Sequence, residues 1–365
     1  MRKKMLYIMG IDWNWIYQRP QILAQMLSKD YDLTVVFPRS ILKWKGKNHV
    51  PQDVFQRRIL YTIPYQEKNV LLGTVAKMFQ KKHFEDYQSF DFIFIGYPLY
   101  ARYIPLDYKG SIIYDCMDDF EKLYPDHKRV YRVTEQEKKL IKRCKLLLAS
   151  SEILKNKADK IAGVDKAILV RNGVNPKNLF PIKPFCLRQQ YRIGYIGTIS
   201  AWFDYHILQA SIEAEIPVQY HLIGPVDNLK AERSEKIIFE GTVEHSELGD
   251  MIKEYDCLIM PFEINELVKT VDPVKLYEYI AFGKCIISVY YNEIARFEPF
   301  VYFYTGEKDF LELLIKLCNK GFPPKYNSQQ QKQFLQENSW KKRYNVIQQS
   351  IRSLDYEKRY NGREF

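Results

Sequence analysis

Tyr255-Asp-Cys-Leu-Ile-Met-Pro-Phe262, followed closely by Val271-Asp-Pro-Val-Lys-Leu-Tyr-Glu-Tyr-Ile-Ala-Phe-Gly-Lys284, reads as a buried strand, a loop and a helix. Asp272 suits an N-cap and Pro273 the first helical position, so the backbone N–H groups of Val274, Lys275 and Leu276 are expected to lack partners at the helix start. Such a turn is an anion site. Lys275 and Glu278 share one face, whereas Val274, Tyr277 and Ala281 are expected to pack on a sheet. A lysine beside phosphates supplies a point charge, and a carboxylate one turn later can accept hydrogen bonds from both hydroxyls of a ribose. The same pattern also describes an ordinary capped amphipathic helix carrying a solvated Lys–Glu pair.

Working outward, apolar runs of strand length recur at Met5 to Gly10, Leu33 to Phe37, Phe92 to Gly96, Ile112 to Asp115, Leu146 to Ser150 and Ala167 to Val170, with helix-length intervals between them. A second series starts at Arg192 to Gly197 and continues at Val218 to Gly224, Lys236 to Phe239, Cys257 to Phe262, Cys285 to Val289 and Val301 to Tyr304. This β/α alternation predicts two parallel-sheet domains, over 1–183 and 190–338. Pro176, Pro181 and Pro184 mark the linker and hinge between them. Trp340, Tyr344, Ile347 and Ile351 have helical spacing in a terminal segment, 339–365, and Gln329 to Gln333 reads as a solvated helix face.

With 365 residues, 46% hydrophobic and 27% charged, the chain is expected to be a soluble globular protein. No apolar run reaches membrane-spanning length, and the N-terminus meets Asp12 too early for a secretory signal. Six widely spaced cysteines without a Cys-x-x-Cys pair predict free thiols and a reducing cytoplasm. Neither these nor the six histidines have metal-site spacing, so no metal site is expected. Residues 1–183 hold 33 Lys+Arg against 19 Asp+Glu, a net +14, while the remainder nets −3. That asymmetry suits an anionic partner such as a phospholipid surface, a lipid pyrophosphate or nucleic acid, or simply serves solubility. No nucleic-acid module is recognisable, and no such partner is expected. Between 70 and 82, Leu71, Val75, Met78 and Phe79 share one helical face and Lys77 and Lys81 another. This is either a peripheral membrane contact or a core-facing helix with a basic solvent face.

Several further positions carry candidate chemistry. Gly194-Tyr-Ile-Gly197-Thr198 ends a strand and opens a loop, where glycine lets backbone approach a phosphate, although it is not the Gly-x-Gly-x-x-Gly dinucleotide fingerprint. Trp202 and Asp204 read as ligand contacts or as a core aromatic with a helix cap. Asp118 and Asp119 follow a strand and read as cleft-edge carboxylates or helix caps; without a strict Asp-x-Asp they do not suggest a divalent-ion site. Arg19 begins a helix, where the dipole disfavours its charge, which argues for a functional reason over a plain surface arginine.

Taken in order, Leu6-Tyr-Ile-Met-Gly10, Trp13-Asn-Trp15, Gln18-Arg-Pro-Gln21, Ile113-Tyr-Asp-Cys-Met-Asp-Asp119, Ala149-Ser-Ser-Glu152, Val170-Arg-Asn-Gly-Val174, Gly194-Tyr-Ile-Gly-Thr198, Leu222-Ile-Gly224 and Pro273-Val-Lys-Leu-Tyr-Glu-Tyr279 span nearly the whole chain. This ordered set resembles GT-B glycosyltransferases, especially family 4 and the teichuronic-acid and capsule enzymes. The resemblance implies an α/β GT-B fold: two Rossmann-like domains facing a cleft, with a C-terminal helix crossing back to the first. It implies transfer of a hexose-type sugar from a UDP-, GDP- or dTDP-linked donor, held by the second domain, to a carbohydrate or lipid-linked acceptor held by the first. Retention of configuration, no required metal or other cofactor, and a cytoplasmic site at the inner membrane face are implied with it. So is a role in cell-surface polysaccharide synthesis.

Residue by residue, the resemblance gives Lys275 the phosphates and Glu278 the ribose, with Asp272, Pro273, Val274 and Leu276 shaping the helix start. Gly197 and Thr198 form the phosphate loop, and the backbone of Thr242 and Val243 meets the base. Asp118, Asp119 and Arg19 stand on the catalytic side. Ser150-Ser151 and Asn172-Gly173 match family positions but read as a helix cap and a turn. Two departures stand out. The loop Ile199-Ser-Ala-Trp-Phe-Asp-Tyr205 lacks the cations many family members carry there, so the phosphate charge falls to Lys275, with Lys269 or Arg19 assisting. Thr270 stands where the first of a glutamate pair is usual, so Glu263 or Glu266 is expected either to approach the donor sugar by a longer path, with Asn265 bonding its hydroxyls, or to be a solvent-exposed loop carboxylate. A sugar-nucleotide-binding accessory protein and a basic nucleic-acid-binding protein remain as alternatives.

Overall fold

A computed structural model describes residues 2–15, 17–43, 55–64, 66, 70–124, 127–227, 234–243 and 245–361, without the side chains of 43, 70, 127–128, 245–246 and 355–361. The chain divides into two compact units, Met1–Arg171 with Arg343–Phe365, and Asn172–Lys342. The division thus falls just ahead of the proline-punctuated stretch.

In the first unit the strands are β1 (Lys4–Ile8), β2 (Asp32–Ser40), β3 (Gln56–Thr62), β4 (Phe92–Ile95), β5 (Ser111–Cys116), β6 (Leu146–Ala149) and β7 (Ala167–Leu169). All pair in parallel in the order β3-β2-β1-β4-β5-β6-β7. Its helices are α1 (Arg19–Leu27), α2 (Val70–Lys81), α3 (Phe120–Leu123), α4 (His127–Arg143) and α5 (Glu152–Ala162). In the second unit β8 (Tyr191–Ile196), β9 (Val218–Ile223), β10 (Ile237–Gly241), β11 (Cys257–Met260), β12 (Cys285–Val289) and β13 (Tyr302–Tyr304) form a parallel sheet in the order β10-β9-β8-β11-β12-β13. Its helices are α6 (Tyr205–Glu213), α7 (His245–Lys253), α8 (Val274–Ala281), α9 (Glu307–Cys318) and α10 (Ser328–Glu337), followed by α11 (Trp340–Asn361). Among the described residues this β3 is the only strand missing from the sequence reading. It is an edge strand opening on Gln56, Arg57 and Arg58, with one fully buried residue, Leu60, so it lacks the apolar run that marks the others.

Both sheets are apolar on both faces, which is why their strands read as continuous hydrophobic runs. In the first unit Leu6, Ile8, Ile93, Ile95 and Tyr114 point to one core. Their alternates Met5, Tyr7, Phe92, Phe94 and Ile113 point to another, which α1 covers with Leu23, Ala24 and Leu27. The same core takes Tyr344, Ile347 and Ile351 from α11, and the Tyr344 hydroxyl donates to Asp30 at 2.6 Å. The C-terminal helix therefore belongs with the first unit. Truncating Ile347, which is fully buried, to alanine would cost about 2–5 kcal/mol.

Two local expectations change. Gln331 is buried, not solvated, because its amide donates to the carbonyls of Ile280 (2.8 Å), Phe180 (3.1 Å) and Ala281 (3.1 Å) at the end of α8. The apolar face of α8 is also broader than three residues. Leu276, Tyr277, Tyr279, Ile280 and Ala281 are all buried, and Val274 only half-buried. The strand order in each sheet reverses between its first and fourth strands, β1/β4 and β8/β11. The crevice beyond the carboxyl ends of strands at such a switch point is where open α/β sheets bind ligands.

Candidate functional site

At the second switch point the ends of three adjacent strands are tied together by backbone. Gly197 N–H donates to Ile223 (2.8 Å), and Gly224 N–H to Gly241 (2.7 Å). Gly197 has φ +142°, which only glycine adopts easily, and a β-carbon there would stand 2.2 Å from Lys275 Cε and 2.6 Å from its Nζ. The lysine therefore lies directly over this glycine, with Nζ 5.6 Å from the centre of the Tyr195 ring and 5.5 Å from that of Phe262. No hydrogen-bond acceptor reaches Nζ among the described residues, and burial lowers the lysine's pKa, with Glu278 opposing. Glu278 lies one turn on, also half-buried, and burial pushes its carboxyl up to about 7 despite Lys275. An ammonium without a hydrogen-bonded counter-ion, held over a strand-end glycine beside a reluctant carboxylate, is built to receive an anion. Tyr279 fixes the floor: its hydroxyl accepts from Ile196 N–H at 3.0 Å.

The helix start departs from expectation in two respects. Pro273, not Asp272, occupies the cap position, and it makes no side-chain cap bond. Asp272 is turned inward, where its carboxylate accepts from the Asn172 N–H (2.6 Å), the Tyr277 hydroxyl (3.1 Å) and the Arg296 guanidinium. The cap was lost because Arg296 and Tyr277 compete for the same oxygens inside the fold. The Leu276 N–H is also taken, by the Pro273 carbonyl at 3.3 Å, leaving Val274 and Lys275 as the open donors of the first turn. Asn172, read as a turn residue, ties the chain to this point instead, and its amide also donates to the Asp272 carbonyl at 2.7 Å. Arg296 carried no motif; its only signal was a lone cation after the β12 run.

Several of the loop residues have partners of their own. Asn265 spends its side-chain oxygen on the N–H groups of Leu267 (3.0 Å) and Val268 (2.8 Å), and Glu266 pairs with Lys269 at 2.6 Å, both exposed. Lys269 is thus engaged by its neighbour. Thr198 lends its carbonyl to the Tyr195 hydroxyl at 2.8 Å, and Thr242 and Val243 follow the exposed Gly241 at the end of β10. Asp204 caps α6 through Ile207 N–H (3.1 Å), and Trp202 packs against the core.

The first unit carries its own polar cluster at the end of β5. Arg19 is buried and forks onto Asp115 (Nε–Oδ2 2.9 Å, Nη2–Oδ1 2.7 Å) while Nη1 donates to the Val170 carbonyl at 2.7 Å. It is neither a surface arginine nor displayed at the helix tip: Asp115, missed in the sequence, draws it in. Asp119 caps α3 through Glu121 N–H (3.3 Å) and pairs with Lys157 at 2.6 Å. Asp118 is half-buried, and burial, then Asp115, push its carboxyl up to about 6, with Asp119 adding and Arg19 opposing. Ser151 caps α5 through Leu154 N–H at 3.3 Å. Among the described residues no three His, Cys, Asp or Glu side chains gather as a metal cluster.

The backbone resembles solved structures over almost its full length. Sucrose-phosphate synthase from Thermosynechococcus elongatus superposes with a TM-score of 0.71 at 11% identity, covering 97% of this chain and all of that one. The chain has the GT-B glycosyltransferase fold. Other GT-B structures agree. Anabaena HepE in complex with UDP and glucose gives 0.68 at 13% identity (96% and 100% covered), and the lipopolysaccharide outer core galactosyltransferase WaaB 0.66 at 13% (96% and 99%). In sequence, the chain is 25% identical over 251 residues to a protein named as the teichuronic acid biosynthesis glycosyltransferase TuaH of Bacillus subtilis (strain 168). That match spans 63% of this chain and 62% of the relative. No protein-family model matches.

Proposed function

We propose that this GT-B protein is a glycosyltransferase that moves a hexose-type sugar from a nucleotide diphosphate donor to a carbohydrate or lipid-linked acceptor in cell-surface polysaccharide synthesis. The observation that carries the reading is Lys275 lying over Gly197 with Glu278 one turn along. Lys275 and the Val274 and Lys275 amides meet the diphosphate, and Glu278 accepts from the ribose hydroxyls. As the glycosidic bond breaks, negative charge grows on the leaving diphosphate, where a desolvated ammonium stabilises it most strongly. The backbone of Thr242 and Val243 borders the base. UDP is the favoured nucleotide, because HepE has been solved with UDP and with UDP-glucose. Asp118, with its pKa near 6, serves the acceptor hydroxyl as base, while Arg19 and Asp119 hold their places around it. Glu266 and Asn265 sit at the sugar end of the donor.

Transfer is proposed to proceed with retention and without a metal, at the inner face of the cell membrane. Residues 70–82 contribute the membrane contact: no helix among the described residues is long and apolar enough to cross a bilayer, but the apolar face of α2 is exposed. Titration calorimetry with UDP, GDP, dTDP and their glucose conjugates, followed by transfer assays with EDTA, tests the reading. Saturable UDP-glucose binding that Lys275→Ala and Glu278→Ala abolish supports it. Binding unaffected by both substitutions removes the site.

A further inference from the structure

The Lys275 ammonium stands over two ring faces that reach it from different strands, Tyr195 within β8 and Phe262 just beyond β11. Among the described residues no carboxylate pairs with it. Glu278, one turn along the same helix, is the charged group that acts on it.

Both rings are placed by contacts of their own. The Tyr195 hydroxyl donates to the Thr198 carbonyl at 2.8 Å, and its ring meets that of Phe203 edge to face, 4.7 Å between centres. Phe262 forms an antiparallel bridge with Phe203. On either side of that bridge Asp204 N–H donates to the Pro261 carbonyl (2.8 Å) and Glu263 N–H to the Trp202 carbonyl (2.9 Å). The loop after β8 is thus zipped to the loop after β11, and Tyr195, Phe203 and Phe262 are buried in the seam. None of these bonds involves the lysine.

A ring face attracts a cation without accepting its N–H bonds and without cancelling its charge. A carboxylate in the same place would do both and would compete with an incoming phosphate. Residues 199–205 carry no cation that could share the work. We propose that Tyr195 and Phe262 are positioning residues for the donor: their faces hold the Lys275 ammonium charged over Gly197 and leave its N–H groups for the diphosphate of a nucleotide sugar. The inference rests on the donor site proposed above and adds what keeps its cation in place.

NMR titration of the full chain, labelled with carbon-13 lysine, between about pH 7.5 and 10 tests it in the absence of ligand. The Lys275 resonance is the one missing from Lys275→Met. Phe262→Leu keeps an apolar side chain and removes the ring. Replacing Phe262 by a polyfluorinated phenylalanine keeps the shape, and with it the fold, while draining the negative face. In both, the Lys275 midpoint should fall by about half to one pH unit, because the charged form loses its support. Phe262→Tyr and Tyr195→Phe, which keep a ring face, should titrate as the wild type does. The titratable neighbours do not confuse the reading: burial pushes the Tyr195 and Tyr279 phenols up, and the Glu278 midpoint lies near 7. UDP-glucose binding over the same range should weaken at lower pH in Phe262→Leu, by about three- to tenfold on the falling limb; ionisation of the uracil is common to all samples. A Lys275 midpoint unmoved by Phe262→Leu and by the fluorinated ring, or moved as far by Phe262→Tyr, would overturn the positioning role whatever the donor site binds. A midpoint that moves as expected in a protein that does not bind UDP-glucose would overturn the donor site, and the role with it.

Discussion

Gly197 exists as glycine because Lys275 occupies the volume a side chain would need: the missing β-carbon would stand 2.2 Å from the lysine's Cε. Backbone and ammonium thereby approach each other closely at the end of β8. Gly197→Ala must displace Lys275 and also strain a φ of +142°. We expect a loss of about 1–3 kcal/mol in chemical denaturation and at least tenfold weaker UDP binding. Unchanged UDP affinity would separate the glycine from the ligand site.

Lys275 is half-buried with no hydrogen-bond acceptor among the described residues, so its charge is a cost to the fold that serves the ligand. Lys275→Met should melt at the same or a higher temperature than the wild type, since burial of a cation is relieved. UDP affinity should fall by about 10²-fold or more, for a charge-assisted contact of about 3 kcal/mol. A variant that loses stability and keeps UDP binding would make this lysine structural.

For Glu278 the sign of the pH effect follows from a raised pKa. The folded protein holds this proton up to about pH 7, whereas an unfolded chain releases it in the ordinary carboxylate range. Stability from this group is therefore full below that range and declines as pH rises through 7. Binding works the other way, because only the carboxylate accepts from both ribose hydroxyls. UDP-glucose, whose diphosphate keeps its charge in this range, should bind more tightly as pH rises from 5.5 to 8, by about tenfold per unit below 7 at most. Glu278→Gln should flatten that profile; a profile unchanged in the variant would assign the titration elsewhere.

The Asp272 carboxylate ties α8 to Arg296, Tyr277 and the chain at Asn172. Asp272→Asn leaves a guanidinium short of its counter-charge. About 2–3 kcal/mol should be lost in urea unfolding, less than for a fully buried pair because Arg296 keeps some solvent. Arg296→Met should lose a similar amount, and the double variant much less than the sum. Additive losses would show that the two residues act independently.

Arg19 and Asp118 should separate structure from chemistry in the first unit. Arg19→Lys keeps the charge but not the fork on Asp115, so thermal stability should drop while UDP-glucose affinity holds. Asp118→Asn should leave both intact and lower turnover by about 10²–10⁴-fold, removing the limb of the pH–rate profile near 6. Wild-type turnover in Asp118→Asn would dismiss it as the base.

Strand positions, the parallel character of both sheets and the helix carrying Lys275 and Glu278 were legible in the chain, since each rests on apolar runs and spacing that neighbours in sequence set. β3 escaped because an edge strand buries too little to need such a run. Ser151 and Asp204 cap their helices within three residues, a distance local chemistry controls. Partners far apart in sequence were decided only by the tertiary structure. Arg19 finds Asp115 across 96 residues, Asp272 turns from its expected cap to Asn172 across 100, and Gln331 reaches Ile280 across 51. A polar side chain takes the strongest partner its burial permits, and which partner is near depends on how sheets and helices pack. Likewise, helical spacing defined the apolar face of α2, but whether that face met a core or water depended on what the rest of the fold left uncovered.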